Sequence, residues 1–388
     1  MNEARAARRT AAAFGVAAFF SDVAHETVSA VLPAFLLLLG GTPRSLGYVE
    51  GCADAAAALC KLYAGRFADR RRTLKPATTF GYAVSAAALP LVGLATSWLH
   101  VILLRTVALS GRGFRSPLRD QLLARAVPPS RRGAAFGLER AMDQAGGLLA
   151  SVGIAALLAH GVGVRSILIA TVVPGVLATL AIVLLVREKP AVVLPPVAVG
   201  GPWPPAFRRF LVSIGVYGLG DFPVNLAILW AVGGVGALGA GAAGDAGGVV
   251  AAAGGAGDGV GSGDLSRLAS QAALLYAAYK LVAAPTAYFA GRCSDRYGRR
   301  GVYVAGHLAG FLGACVPCFV APSFGAGLVV TAASGLLYGV QESVQKAWGA
   351  DLAPVDRRGR AFGAIHALRG LTRSEEHTSE LQSRYVIS

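Results

Sequence analysis

Ten runs of predominantly apolar residues recur along the chain, at roughly 11–39, 45–65, 77–96, 98–114, 137–160, 164–186, 208–232, 266–290, 302–321 and 324–349, and an eleventh starts near Arg360. About 20 apolar residues suffice to cross a bilayer as a helix. Short polar segments rich in arginine separate the runs. The pattern predicts an all-α polytopic membrane protein with the lipid bilayer as its solvent.

Composition sharpens this. Apolar residues make up 54% of the 388 residues and charged ones 15%, against about 25% charged in ordinary soluble chains. The net charge of +15 would suggest nucleic acid in a soluble protein, but its placement argues otherwise. Twenty-four Lys and Arg fall in 5–9, 66–75, 115–132, 187–209, 292–300 and 357–360, while the alternate loops hold only Arg44, Arg165 and Arg267. Basic residues resist translocation, so the rich loops and the N-terminus read as cytoplasmic. No nucleic-acid partner is needed. The first run is long and interrupted by Asp22, His25 and Glu26, which suits a retained span rather than a cleaved signal. Five cysteines set no disulfide framework, and "CVPC" at 315–318 lies within an apolar run. The preponderance of Arg over Lys, with abundant Ala and Gly, suggests a GC-rich bacterial gene.

An internal repeat organises the chain. "GRFADRRRTLKP" starts at Gly65 and "GRCSDRYGRRG" at Gly291, 226 residues later, and "RRGAAFG" at 131–137 recurs as "RRGRAFG" at 357–363 with the same offset. "FFSDVAHE" and "GLGDFPVN" set Asp22 against Asp221 at an offset of 199, and the difference falls in a Gly-rich segment, 233–264. Such text has little side-chain area to bury and reads as a flexible external loop. The expected units are an N-terminal six-helix bundle over 1–187, a Pro-rich cytoplasmic linker over 188–206 and a second bundle over 207–372. Six spans per unit gives both halves one orientation, a layout known among transporters.

"GRCSDRYGRR", lying between the second and third spans of its half, resembles the loop motif of the major facilitator superfamily. Gly291, Asp295, Arg296, Gly298, Arg299 and Arg300 match it. The first copy keeps Gly65, Asp69 and Arg70 but has Arg72 for the glycine and Thr73 for a basic residue. "FSDVAHETVSAVLP", "LERAMDQAGG" and "RRGAAFG" resemble a bacterial branch of largely unassigned substrate. In that branch the fifth span commonly has Gly-Pro, where Ala150-Ser151 stands here, so the glycine motif of drug exporters is not intact. The resemblance covers 11 to 372 and implies twelve spans in two bundles, of which about 10.5 are present. It also implies that the loop-motif residues latch the halves together when the cavity opens outward. A plainer reading of Asp69, Arg70, Asp295 and Arg296 is topology plus helix ending. The last residues, 373–388, begin "RSEEHTSELQS", which resembles an in-frame translation of a sequencing adapter. The native chain is accordingly expected to continue beyond the eleventh span.

Ionisable residues inside a bilayer are costly and mark function by default. Asp22, His25 and Glu26 share one face of the first span. Glu50, Asp54 and Lys61 share a face of the second, and Arg105 and Arg112 lie seven apart on the fourth. Asp221 and Asn225 in the seventh match Asp22 and Glu26. These faces either line one wet cavity or pair locally to fix packing. Glu342 in "QESVQK" either contacts substrate or bridges to Lys346 one turn on.

By the resemblance, span two lies against span eleven and span five against span eight. The 226-residue offset relates Asp54 to Lys280 and Asp143 to Arg369, with opposite signs in each pair. Bridges of Asp54 with Arg369 and Asp143 with Lys280 are therefore expected near mid-membrane, about 14–16 Å up their helices. No phosphate loop, zinc spacing or nucleophile elbow appears, so no enzyme activity, cofactor or metal is expected. The reading is a monomeric, multi-pass secondary transporter of the bacterial inner membrane. It would move a small-molecule substrate by alternating access, coupled to protons through Asp22, Glu26 and Asp54, preferably outward. Proton-linked uptake of an organic anion held by Arg105 and Arg112 is the alternative, and a non-transporting sensor or scaffold stands as another class.

Overall fold

The computed structural model describes residues 2–188, 202–219, 224–232 and 262–372. Among them the chain is helical and contains no strand. The N-terminal helices are α1 (Asn2–Leu38), α2 (Pro43–Asp69), α3 (Lys75–Leu91), α4 (Trp98–Ala126), α5 (Arg132–Ala159), α6 (Val164–Ala170) and α7 (Val172–Leu185). The others are α8 (Pro205–Leu219), α9 (Val224–Ala231), α10 (Ser262–Tyr297), α11 (Arg299–Cys315), α12 (Phe324–Leu352) and α13 (Arg358–Thr372). α6 and α7 divide the sixth apolar run between them.

Local chemistry sets several ends. Ser97 opens α4 by accepting from the His100 N–H, and Ser323 opens α12 by accepting from the Ala326 N–H, each satisfying a donor that the first turn leaves unpaired. The Glu188 carboxylate accepts from the N–H groups of Leu74 and Lys75 at 2.7 and 2.8 Å, holding the end of the sixth span to the start of α3. The linker proper, 189–201, the Gly-rich segment 233–261 and the tail 373–388 lie outside the described residues.

Six segments are long and apolar enough to cross a membrane by composition alone, at Arg8–Leu38, Lys75–Leu94, Pro129–Ala159, Val164–Leu185, Arg299–Cys318 and Phe324–Leu352. α2, α4 and α10 fall outside that set, α2 and α4 because charged side chains interrupt them, and α10 because Gln271, Lys280 and its tyrosines lower its hydropathy. α4 also corrects the expected loop at 115–132. The helix runs on to Ala126, with Arg115, Arg119, Asp120 and Gln121 buried. Charged residues persist in a buried helix here because neighbouring helices supply their partners.

α1 packs on α5 and α7, α2 on α4, and α3 on α4 and α7. On the other side, α10 and α11 pack on α12. Two long seams join the groups, α5 with α10 and α2 with α13, with lesser contacts of α12 on α5 and α13 on α4. The repeat is visible where the seams meet. Phe136 and Phe362, 226 apart in sequence, face each other with ring centroids 5.9 Å apart, both fully buried.

Candidate functional site

Three tiers of polar residues lie along the boundary between the halves. At one end, each loop motif docks on a helix of the opposite half. Asp69 accepts from the N–H groups of Gly359 and Arg360 at 2.6 and 3.1 Å and from Arg360 Nε at 2.9 Å. Asp295 accepts from the N–H groups of Gly133 and Ala134 at 2.9 and 2.7 Å, and from Arg299. Each carboxylate thus caps the start of α13 or α5, where the helix dipole and unpaired N–H groups favour an anion. Burial pushes the Asp69 carboxyl above its ordinary value, against the hydrogen bonds from Arg360 and Gly359.

Glycine allows the approach. A methyl group on Gly65 would sit 2.6 Å from the Gly359 carbonyl oxygen, and Gly291 faces Gly133 in the same way. Small residues let helix backbones close up in this manner. Gly298 has φ +93°, a conformation L side chains rarely adopt. Arg72 occupies that place in the first copy, so the two loops cannot have the same shape. Arg70, Arg296 and Arg300 are exposed.

Above the docked loops lies a dry network of charges. Arg119 reaches Asp120 and Glu139 at 3.1 and 2.8 Å. Lys346 lies 3.6 Å from Asp120, 3.5 Å from Glu139 and 3.8 Å from Glu342. His366 Nε2 is 2.7 Å from Asp120. Arg140 pairs with Asp143 and lies 3.6 Å from Glu342, which Arg369 also contacts. Glu342 therefore makes the within-helix bridge to Lys346 and cross-helix contacts as well.

The third tier is more open. Arg112 binds Asp22 at 3.0 Å, Lys280 binds Glu26 at 3.2 Å, and Arg105 binds Glu50 at 3.2 Å and Ser29 at 2.7 Å. Arg112, Glu26 and Glu50 keep side-chain exposures of 28%, 25% and 24%, whereas Asp120 and Glu139 in the network have none. Arg115 contacts Ser21 and lies 3.8 Å over the Tyr82 ring. Gly147 faces the point where Asp22, Glu26 and Lys280 converge; a methyl group there would be 3.0 Å from Asp22 Oδ2 and 3.1 Å from Lys280 Nζ.

The structure brings together Asp22, Glu26, Arg112 and Lys280, with His25 on the same turn of α1. It does not pair Asp143 with Lys280. Arg140, three residues back on its own helix, engages Asp143, and Lys280 turns to α1. Arg369 engages Glu342. Asp54 and Lys61 are half-buried on α2. Asp221 and the Asn225 side chain lie outside the described residues. Sequence reasoning named Lys346 as a partner of Glu342 but passed over Arg119, Asp120, Glu139, Arg140 and His366 as network members. The signal was there in "LERAMD", whose Glu, Arg and Asp fall at i, i+1 and i+4.

The profile of the Major Facilitator Superfamily matches residues 14–268 and 262–372. This chain belongs to the Major Facilitator Superfamily. Its relatives include an uncharacterised MFS-type transporter of Methanocaldococcus jannaschii, 25% identical over 363 residues that make up 92% of this chain and 84% of that protein. An uncharacterised protein of Mycobacterium tuberculosis strain H37Rv is 28% identical over 378 residues, 94% of this chain and 84% of that one. Among solved structures, the human organic anion transporter MFSD10 superposes with a TM-score of 0.68 at 14% identity, over 98% of this chain and 94% of that one. The proton:xylose symporter XylE superposes with a TM-score of 0.64 at 15% identity, over 98% and 90%. As a superfamily member of this fold, the chain is a multi-pass membrane transporter, and secondary transport is the activity its membership supports.

Proposed function

We propose that the protein is a proton-coupled exporter of a small solute, working as a monomer by alternating access in a bacterial inner membrane. The observation that most favours this is the Glu26–Lys280 pair. It joins α1 of one half to α10 of the other beside Asp22, so its making and breaking follows the separation of the halves. A carboxylate that loses its cation in a poorly hydrated site takes up a proton. The bundles over 1–187 and 207–372 would rock about the linker 188–206. With the basic ends cytoplasmic, docked loops close that side and leave Arg112, Glu26 and Glu50 facing outward. XylE is described as a proton symporter, which supports the proton as coupling ion.

A second reading, proton-linked uptake of an organic anion, draws on the guanidinium groups. Nη1 of Arg105, Arg112 and Arg115 has no hydrogen-bond partner, leaving donors for an anionic group, and MFSD10 is described as an organic anion transporter. Flux across inverted membrane vesicles under an imposed pH gradient separates the readings. Proton-dependent accumulation inside the vesicles is the result expected for export. Proton-driven flux in the opposite sense would replace it with uptake. Absence of flux for cationic, neutral and anionic solute panels alike would overturn transport in favour of a sensor or scaffold.

A further inference from the structure

The buried network is neutral when joined and unequal when parted. With His366 uncharged, it comprises four cations (Arg119, Arg140, Lys346 and Arg369) and four carboxylates (Asp120, Glu139, Asp143 and Glu342). α4 and α5 supply two of the cations and three of the carboxylates. α12 and α13 supply two cations and one carboxylate. Separation of the halves therefore leaves one negative charge in excess on the first and one positive charge in excess on the second.

The contacts locate the excess. Within its own half, Asp143 has Arg140 to itself, whereas Asp120 and Glu139 share Arg119. Their further cationic contact is Lys346, from the opposite half, at 3.6 and 3.5 Å, with His366 also on Asp120. We propose that Asp120 and Glu139 form a shared proton-binding site, occupied when α12 and α13 withdraw and empty when Lys346 returns. Two carboxylates facing one guanidinium cannot both stay ionised at low cost, and the site is fully buried in the joined form. One proton enters from water on the side that the parted form faces, binds a carboxylate oxygen and leaves to the same side on closure. The pH at that face then biases the conformational equilibrium.

Other charged groups nearby modify this excess without meeting the two carboxylates. Arg115, one turn along α4, points to Ser21 and the Tyr82 ring. On α1, Asp22 keeps Arg112 of its own half, whereas Glu26 loses Lys280 when the halves part and takes up a proton of its own. α2, packed on α4 and α13, contributes Asp54 and Lys61, one of each sign. Asp69 biases the other way, since its carboxyl is raised in the docked form, so the diagnostic quantity is a difference between variants.

The inference rests on alternating access, and the experiment separates the two. Spin labels on Arg72→Cys and Val355→Cys, both exposed positions at the docked end, report the distance between halves in lipid nanodiscs, in a background with the five native cysteines replaced by serine. The parted fraction is expected to grow as pH falls, by up to about tenfold per pH unit for each linked proton, with Glu26 contributing beside the Asp120–Glu139 site. Glu139→Gln and Asp120→Asn should each lower that slope by about one proton, because either leaves Arg119 with a single carboxylate. A slope kept in full by either variant overturns the proton site. The Asp69→Asn/Asp295→Asn double variant serves as the opening control. A distance unchanged there and at every pH overturns alternating access along with the proton site.

Discussion

An ion pair spanning two bodies responds to their separation, and one confined to a single helix does not. Glu26–Lys280 is of the first kind and Arg140–Asp143 of the second. We expect Glu26→Lys and Lys280→Glu each to abolish transport in vesicles, and the exchanged double variant to recover part of it. The corresponding exchange of Asp143 with Lys280 should recover nothing. Recovery by the second exchange and not the first would reassign the bridge. Sequence set Asp54, Lys280, Asp143 and Arg369 at similar heights, because helical geometry converts residue counts into height. It could not choose among cations at equal depth. That choice turns on Arg140 lying one turn from Asp143, and on Gly147 clearing room for Lys280 to reach α1.

At the scale of helices, the seams matter more than the hydrophobic runs. α2 meets α13 at Gly65 and Gly359, and a valine at 65 would drive its Cβ into the opposing carbonyl. Overpacking of this sort costs about 1–3 kcal/mol, equivalent to a shift of about 5- to 150-fold in an equilibrium. Gly65→Val should therefore hold the docked end apart, read as a longer distance between labels on α2 and α13 and slowed transport. An unchanged distance would show that the seam tolerates bulk. The seams were legible through the resemblance to the superfamily, which sets span two against span eleven and span five against span eight. The extent of α4 was not. Its charged stretch from Arg115 to Arg125 looks like a loop until the carboxylates of α5 and the lysine of α12 are in place around it.

Across the whole molecule, docking at both loops should resist opening, and loss of either carboxylate should weaken it. Asp295→Asn is expected to raise the accessibility of an engineered cysteine at Ala134 to a water-soluble maleimide, and Asp69→Asn to do the same at Arg360. Labelling rates unaffected by both substitutions would remove the docked loops from the gating of the transporter. The resemblance of both loop motifs to the superfamily's made this arrangement foreseeable in outline. The partners were not foreseeable, because they are backbone N–H groups that sequence does not display.

The two docking sites are built to the same plan with unequal furnishings. Around Asp295, Arg299 also donates to the Pro129 carbonyl at 2.8 Å, and Asp351 ties it to Arg132 of the opposite half at 3.0 and 2.7 Å. At the positions 226 residues earlier, Thr73 stands for Arg299 and Arg125 for Asp351, while Arg358 matches Arg132. That side has neither counterpart and keeps a single guanidinium contact across the halves, Arg360 on Asp69 at 2.9 Å. Burial and Arg132 push Arg358 down to about 10. A pair of jaws fastened this unevenly does not part symmetrically. The α2–α13 side should slip first while the α5–α10 side serves as fulcrum, so a passenger would meet a slot widening from one edge.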